Sequence, residues 1–123
     1  MPTAFRHDSI TLHSGMKEED FEKFMANELF PFFSEHYKGP TRTSIADLKG
    51  QSLFKSARGP GEYLWVTEWE GSPESVGGAS FEHARMIAIS ATADMLKKLE
   101  AFSARKKEKV FMVLVSVEVA TNT

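Results

Sequence analysis

Hydrophobic and polar positions alternate from Asp8 to His13, with Ile10 and Leu12 on one side and Ser9, Thr11 and His13 on the other. A period of two is that of a half-buried strand, and Ser14-Gly15 closes it. From Lys17 to Tyr37 the period lengthens. Phe21, Phe24, Met25, Leu29, Phe32, Phe33 and His36 recur at steps of three and four, the spacing of one helix face. Glu18, Glu19 and Asp20 crowd its first turn, where negative charge meets the positive end of the helix dipole. Pro31 cannot donate to the carbonyl of Asn27, and its ring crowds that turn. A kink near Phe30, or a break into two short helices, is therefore expected before Gly39-Pro40 stops the element.

Residues Thr43 to Lys55 form a weaker strand pattern, interrupted by Gly50 in the manner of a bulge. Arg58-Gly59-Pro60-Gly61 is a turn signal between this run and a clearer strand, Glu62 to Glu70. There Tyr63, Trp65, Thr67 and Trp69 share one side, and Leu64, Val66 and Glu68 the other. A long helix is expected from Ser80 to Arg105, on a stripe of Phe81, Ala84, Ala88, Ala91, Met95, Leu99 and Phe102. The last run, Lys109 to Val119, is apolar on both sides.

The order is β-α-β-β-α-β, the split arrangement of ferredoxin-like α+β folds: a four-stranded antiparallel sheet with two helices on one face. The free face of such a sheet is usually polar. Here the last strand is apolar on both faces, and the third carries aromatics on one face with Leu64 and Val66 on the other. A second copy of the same sheet is the simplest cover, so a homodimer through the sheet is expected.

The totals narrow the function classes. At 123 residues the chain is sized for one domain, with an ordered core from about residue 6 to about residue 120. Its net charge of −2 leaves no electrostatic footprint for nucleic acid. The one basic run, Arg105-Lys106-Lys107, is read as a solvated helix terminus. There is no cysteine, which removes disulfides and thiolate chemistry. No window is long and apolar enough for a membrane span, and no signal segment opens the chain, so the cytoplasm is the default location. His7 and His13 are six apart along a strand, roughly 20 Å, too far to share a metal. Phosphate-loop, GxSxG and HExxH motifs are missing.

With these elements in place, the chain resembles the dimeric α/β-barrel superfamily, in particular its antibiotic-biosynthesis monooxygenase-like group. The resemblance runs from Asp8 to Val119. It is carried by Phe21-Glu22-Lys23-Phe24 and Glu28-Leu29-Phe30-Pro31 on the first helix, Tyr63 to Glu70 on the third strand, and Ser80-Phe81-Glu82-His83-Ala84-Arg85 at the start of the second helix. It implies a sheet-to-sheet dimer with a pocket between helices and sheet in each subunit. It also implies, for some members, oxidation of dihydroxy-aromatic substrates by oxygen without a cofactor. Haem-degrading members use an asparagine on the first strand and a histidine on the second helix. This chain has only Asn27 and Asn122, and Arg85 and Ala88 stand near the expected ligand position with His83 upstream, which speaks against haem.

Several residues are candidates for a site. His13, with Thr11 and Ser9, forms a polar row that is either the wall of a pocket, His13 then serving as proton acceptor, or a strand end satisfied by backbone and water. Trp65 and Trp69, with Tyr63, could stack a planar ligand or fill the core or dimer interface. His83 and Arg85 stand where a substrate would enter, Arg85 offering forked donors to an anion. Asn27 could turn its amide into the pocket beside the Pro31 kink, and Phe24 and Phe32 could form the walls.

Two functions follow. One is a cofactor-independent monooxygenase-like enzyme, using no metal, that deprotonates a small aromatic or quinol-like molecule with His13 or His83 and holds the anion with Arg85 and Asn27. The alternative is a non-catalytic small-ligand-binding or stress-associated dimer of the same fold. A cavity of roughly 300 Å³ or more between helices and sheet separates them.

Overall fold

In the computed structural model, which describes residues 3–37, 47–70, 90–105 and 109–112, the first strand begins earlier than the alternation suggested. β1 spans Thr3–Leu12 and is central in the sheet. It is followed by α1 (Glu18–Phe24), a π-helical turn (Met25–Leu29), α2 (Phe30–His36), β2 (Asp47–Lys55), β3 (Glu62–Glu70), α3 (Ser90–Phe102), β4 (Ser103–Arg105) and β5 (Lys109–Met112). Strand order is β2-β3-β1-β4, and β5 also pairs with β1. β4 lies against Ile10 to Leu12 and β5 against Ala4 to His7, so the two share the fourth strand position. All pairings are antiparallel. This is the ferredoxin-like arrangement expected from the element order.

Near Pro31 the π turn Met25–Leu29 divides the element into the short helices α1 and α2, while the backbone stays helical throughout. The Phe30 N–H reaches back five residues to the Met25 carbonyl, and Leu29 and Phe30 keep helical angles (φ −69, ψ −50 and φ −61, ψ −48). The wider π turn accommodates the missing donor and the proline ring ahead of it. Gly50 sits where expected, at a register irregularity between Leu48 and Gly50 in the β2–β3 pairing. β3 has the boundaries that its alternation gave.

α3 ends at Phe102 rather than at Arg105, a correction with a physical cause. The last carbonyls of a helix need donors, and here they receive them from outside it. The Ser103 hydroxyl donates to the Leu99 carbonyl at 2.9 Å. The His13 backbone N–H donates to Phe102 O at 2.9 Å, and His13 Nε2 donates to Glu100 O at 2.8 Å. Arg105 is then free to enter β4 and pair with Asp8 of β1 at 3.1 Å, side chains 10% and 6% exposed. It is a half-buried strand residue, not part of a solvated helix end. The expected helix segment 80–89 and strand segment 113–119 lie outside the described residues.

The core lies between the helices and one sheet face. Ala4, Ile10, Leu48, Tyr63, Trp65 and Trp69 meet Phe21, Phe24, Met25, Leu29, Phe33 and Tyr37 from the first helical element and Leu96 and Leu99 from α3. The opposite face is apolar too. Phe5, Leu64 and Val66 are half-buried there, Phe54 and Phe111 are exposed, and His7 lies against Phe111 with ring centroids 4.8 Å apart. Among the described residues no helix is long and apolar enough to cross a membrane.

At one end of the sheet α1 is clasped to the β2–β3 hairpin. Gly61, at φ +73, turns its N–H to Glu18 Oε2 at 2.8 Å. Tyr63 donates its hydroxyl proton to Glu22 Oε2 at 2.5 Å. Lys55 reaches both carboxylates at 3.3 Å. The Gly61 N–H and then Lys55 hold the Glu18 carboxyl below the usual carboxylate range, and Tyr63 and then Lys55 do the same for Glu22. A carboxylate depressed in the folded state contributes stability that is complete above its unfolded pKa and is lost as pH falls through the folded value. Wild-type stability should therefore fall from about pH 4 downwards, and Glu22→Gln should flatten that fall. Urea unfolding across this pH range gives the comparison; identical acid slopes for the two proteins would show that the clasp does not titrate with folding.

Candidate functional site

Ile10 and Leu12 pack into the helix-facing core, and residues of the same parity on β1 follow them there. Arg6 and Asp8 are therefore on the helix-facing side, 2% and 4% exposed. Arg6 stands across from Thr67 and Asp8 across from Trp65 on β3. Thr67 (5%) and, on α3, Thr92 (1%) complete a set of buried polar residues. Burying such groups is costly unless they are hydrogen-bonded or paired, and the structure provides partners. Arg105 pairs with Asp8, Trp69 Nε1 donates to Thr67 Oγ1 at 2.7 Å, and the Tyr37 and Thr92 hydroxyls are 3.4 Å apart.

An aromatic wall belongs to the same buried layer. Trp65 meets Phe33 edge-on at 5.3 Å, Phe33 stacks on Tyr37 at 5.3 Å, and Tyr37 meets Trp69 edge-on at 6.0 Å. Burial pushes the Tyr37 hydroxyl above its ordinary pKa, with Thr92 opposing, so it stays a neutral donor at physiological pH. A planar anion set in this layer would meet flat rings, two guanidinium groups and one carboxylate. Such an arrangement can hold charge developing on an aromatic oxygen.

Other expected site residues lie elsewhere. Thr11 and His13 are exposed; they have the parity of the outer face, and His13 is engaged in closing the end of α3. The row of Ser9, Thr11 and His13 therefore does not face the helices; Ser9 and Thr11 line a cavity on the other face of the sheet, and His13 is satisfied by backbone. Asn27 is exposed on the π turn, so its amide does not enter the buried layer. Phe24 stacks on Phe102 at 5.1 Å and joins the helices to each other. Phe32 is half-buried and stacks on His36 at 4.0 Å. His83 and Arg85 lie outside the described residues. Trp65 and Trp69 are on the helix side, at 1% and 2% exposure.

A separate cavity of about 350 Å³ lies on the outer face beside the hairpin, lined by Ser9, Thr11, Phe54, Lys55, Ser56 and Leu64 among others. It has the size expected of a ligand site but is not between helices and sheet. Among the described residues no group of three or more histidine, aspartate or glutamate side chains could hold a metal ion.

No protein-family model and no curated protein matches the chain. Solved structures do. SnoaB, a cofactor-independent oxygenase from Streptomyces nogalater, superposes with a TM-score of 0.65 at 14% identity, over 95% of this chain and 98% of that one. A candidate antibiotic biosynthesis monooxygenase from Bordetella bronchiseptica gives 0.63 at 20% identity, over 95% and 100%. A Bacteroides thetaiotaomicron protein of unknown function, titled a possible oxidoreductase, gives 0.58 at 10% identity, over 91% and 98%. The chain thus has the ferredoxin-like α+β fold that these structures share.

Proposed function

We propose that the chain is a cofactor-independent monooxygenase acting on a small dihydroxy-aromatic or quinol-like molecule in the layer between helices and sheet. The observation that carries this reading is the burial of Arg6 and Asp8 on the sheet face that carries Trp65 and Trp69, with Tyr37 of the helical element packed on Trp69, in a fold shared with a cofactor-independent oxygenase.

The substrate supplies the electrons. Loss of a phenolic proton makes the ring electron-rich enough to react with dioxygen; one oxygen atom enters the ring and the other leaves as water. The protein's part is to take the proton, hold the anion and keep bulk water out. In this reading His83 accepts the proton and Arg85 helps to hold the anion. Asp8 is the buried carboxylate that could take the base's role instead, and Arg6 supports the anion with its forked donors. The aromatic wall sets the plane of the ring.

The outer sheet face belongs to the same proposal. Its strip of Phe5, Leu64, Val66, Phe54 and Phe111 is covered by the sheet of a second copy, giving a homodimer with the helix-side layers facing outward.

Oxygen uptake by metal-depleted protein with naphthohydroquinone tests the reading. His83→Ala is expected to lose roughly two to four orders of magnitude in turnover while Asp8→Asn, if folded, keeps most of it; the reverse pattern assigns the base to Asp8. No uptake with a broad panel of quinols and phenols would leave a non-catalytic binding dimer as the better account.

A further inference from the structure

We propose that Gln51 is a positioning residue for the aromatic wall, its carboxamide holding the Trp65 indole and the start of α2 in one arrangement. This rests on the reading of Trp65 as a wall of the substrate layer.

Gln51 stands on the edge strand β2, across from Thr67 and therefore on the helix side. Its Oε1 accepts from Trp65 Nε1 at 3.3 Å. Its Nε2 donates to the Phe30 carbonyl at 2.9 Å and to Ser34 Oγ at 3.0 Å. One amide thereby joins β2, β3 and α2. A flipped amide would set its NH₂ against the indole N–H and its oxygen against the Phe30 carbonyl, donor facing donor and acceptor facing acceptor. The network therefore fixes one orientation.

The place of attachment gives the contact its consequence. Phe30 closes the π turn through its N–H to Met25 O and precedes Pro31, so its carbonyl lies where the helix passes from the wide turn back to α geometry. Phe33, one turn further on, meets the other side of Trp65 at an interplanar angle of 84°. The indole is set by Phe33 from the helix and by Gln51 from the sheet. A planar ligand stacks well only on a ring held in the right plane, so a change at Gln51 should reach the ligand without touching it.

The chain has two tryptophans, so in a Trp69→Phe background emission reports Trp65 alone. Gln51→Leu removes the lock. Gln51→Glu keeps the shape and the acceptor for Trp65, but when ionised it turns an oxygen to the Phe30 carbonyl; protonation restores a donor there. Gln51 is only half-buried on an edge strand, and circular dichroism checks that each variant folds. Emission and its quenching by naphthohydroquinone are measured under nitrogen.

With Gln51 present, emission should be constant between about pH 5 and pH 8, away from any titration of an amide. Gln51→Leu should shift the emission and weaken the probe about tenfold, the scale of one lost hydrogen bond. Gln51→Glu should match Gln51→Leu at high pH and regain the parent emission as its carboxyl takes up a proton. Parent-like emission and affinity in Gln51→Leu, or no recovery in Gln51→Glu, overturns the proposal. If emission follows Gln51 as stated but the probe never quenches Trp65, the wall reading is what fails, and the lock on the indole stands.

Discussion

Replacing Asp8 by alanine is expected to lower folding stability by about 3–5 kcal/mol, because it removes one partner of a largely buried ion pair. Arg105 reaches Asp8 at 3.1 Å with side chains 10% and 6% exposed. At that burial a charge does not regain its hydration by moving to solvent. The cost is chiefly that of Arg105 left without this carboxylate, not the net worth of the pair. Removing both charges should therefore cost less than removing one. A double variant, Asp8→Leu with Arg105→Met, is expected to recover most of the loss, as buried ion pairs replaced by apolar side chains of similar volume often do. Urea unfolding of the three proteins tests this. A loss under about 1 kcal/mol for Asp8→Ala would class the pair with exposed bridges and contradict its place in the buried layer.

Val66→Glu is expected to convert a homodimer into a monomer. Val66 stands on the outer face of β3, across from His7 of β1, in the apolar strip of Phe5, Leu64 and Phe111. In a two-fold sheet-to-sheet contact each substitution enters the interface twice. Two carboxylates would be desolvated together, at several kcal/mol each. In the isolated chain the same position is half-open, so the fold itself should accept the charge. Sedimentation at micromolar concentration should give about twice the chain mass for the parent and a single chain for the variant. A monomeric parent, or a variant that still dimerises with unchanged affinity, contradicts the proposed cover for this face.

Much of the fold was legible because it depends on period and punctuation. The alternation from Tyr63 to Trp69 fixed β3 and its two faces, Gly50 marked the register irregularity, and the turn residues marked the hairpin. What period cannot convey is the partner of a side chain far along the chain. The helical pattern ran smoothly through Ser103 and Arg105, yet the Ser103 hydroxyl and the His13 ring close α3 at Phe102, and Asp8 draws Arg105 into a strand. Pro31 marked an irregularity between two short helices, but only the structure shows that it takes the form of a π turn.

The candidate site was less legible for one identifiable reason. Starting β1 at Asp8 rather than Thr3 hid Arg6 and made the exposed row of Ser9, Thr11 and His13 the conspicuous polar feature. Extending the parity of Ile10 back by two and four positions would have found Asp8 and Arg6 on the covered face. Trp65 and Trp69 were within reach because aromatic residues of one parity announce a shared face. Thr67 shares their parity, whereas Tyr37, Thr92 and Gln51 carry no local signal, since each acquires its place only from packing.

The central claim is that this chain inserts one atom of dioxygen into an aromatic ring in the helix-side layer, with the substrate as the source of electrons. The direct measurement is turnover of naphthohydroquinone by metal-depleted protein under isotopically labelled dioxygen. The account predicts a hydroxynaphthoquinone carrying one labelled oxygen atom, the second appearing in water, with formation suppressed in His83→Ala. Product without label, or turnover that returns only when a metal is added, would contradict it.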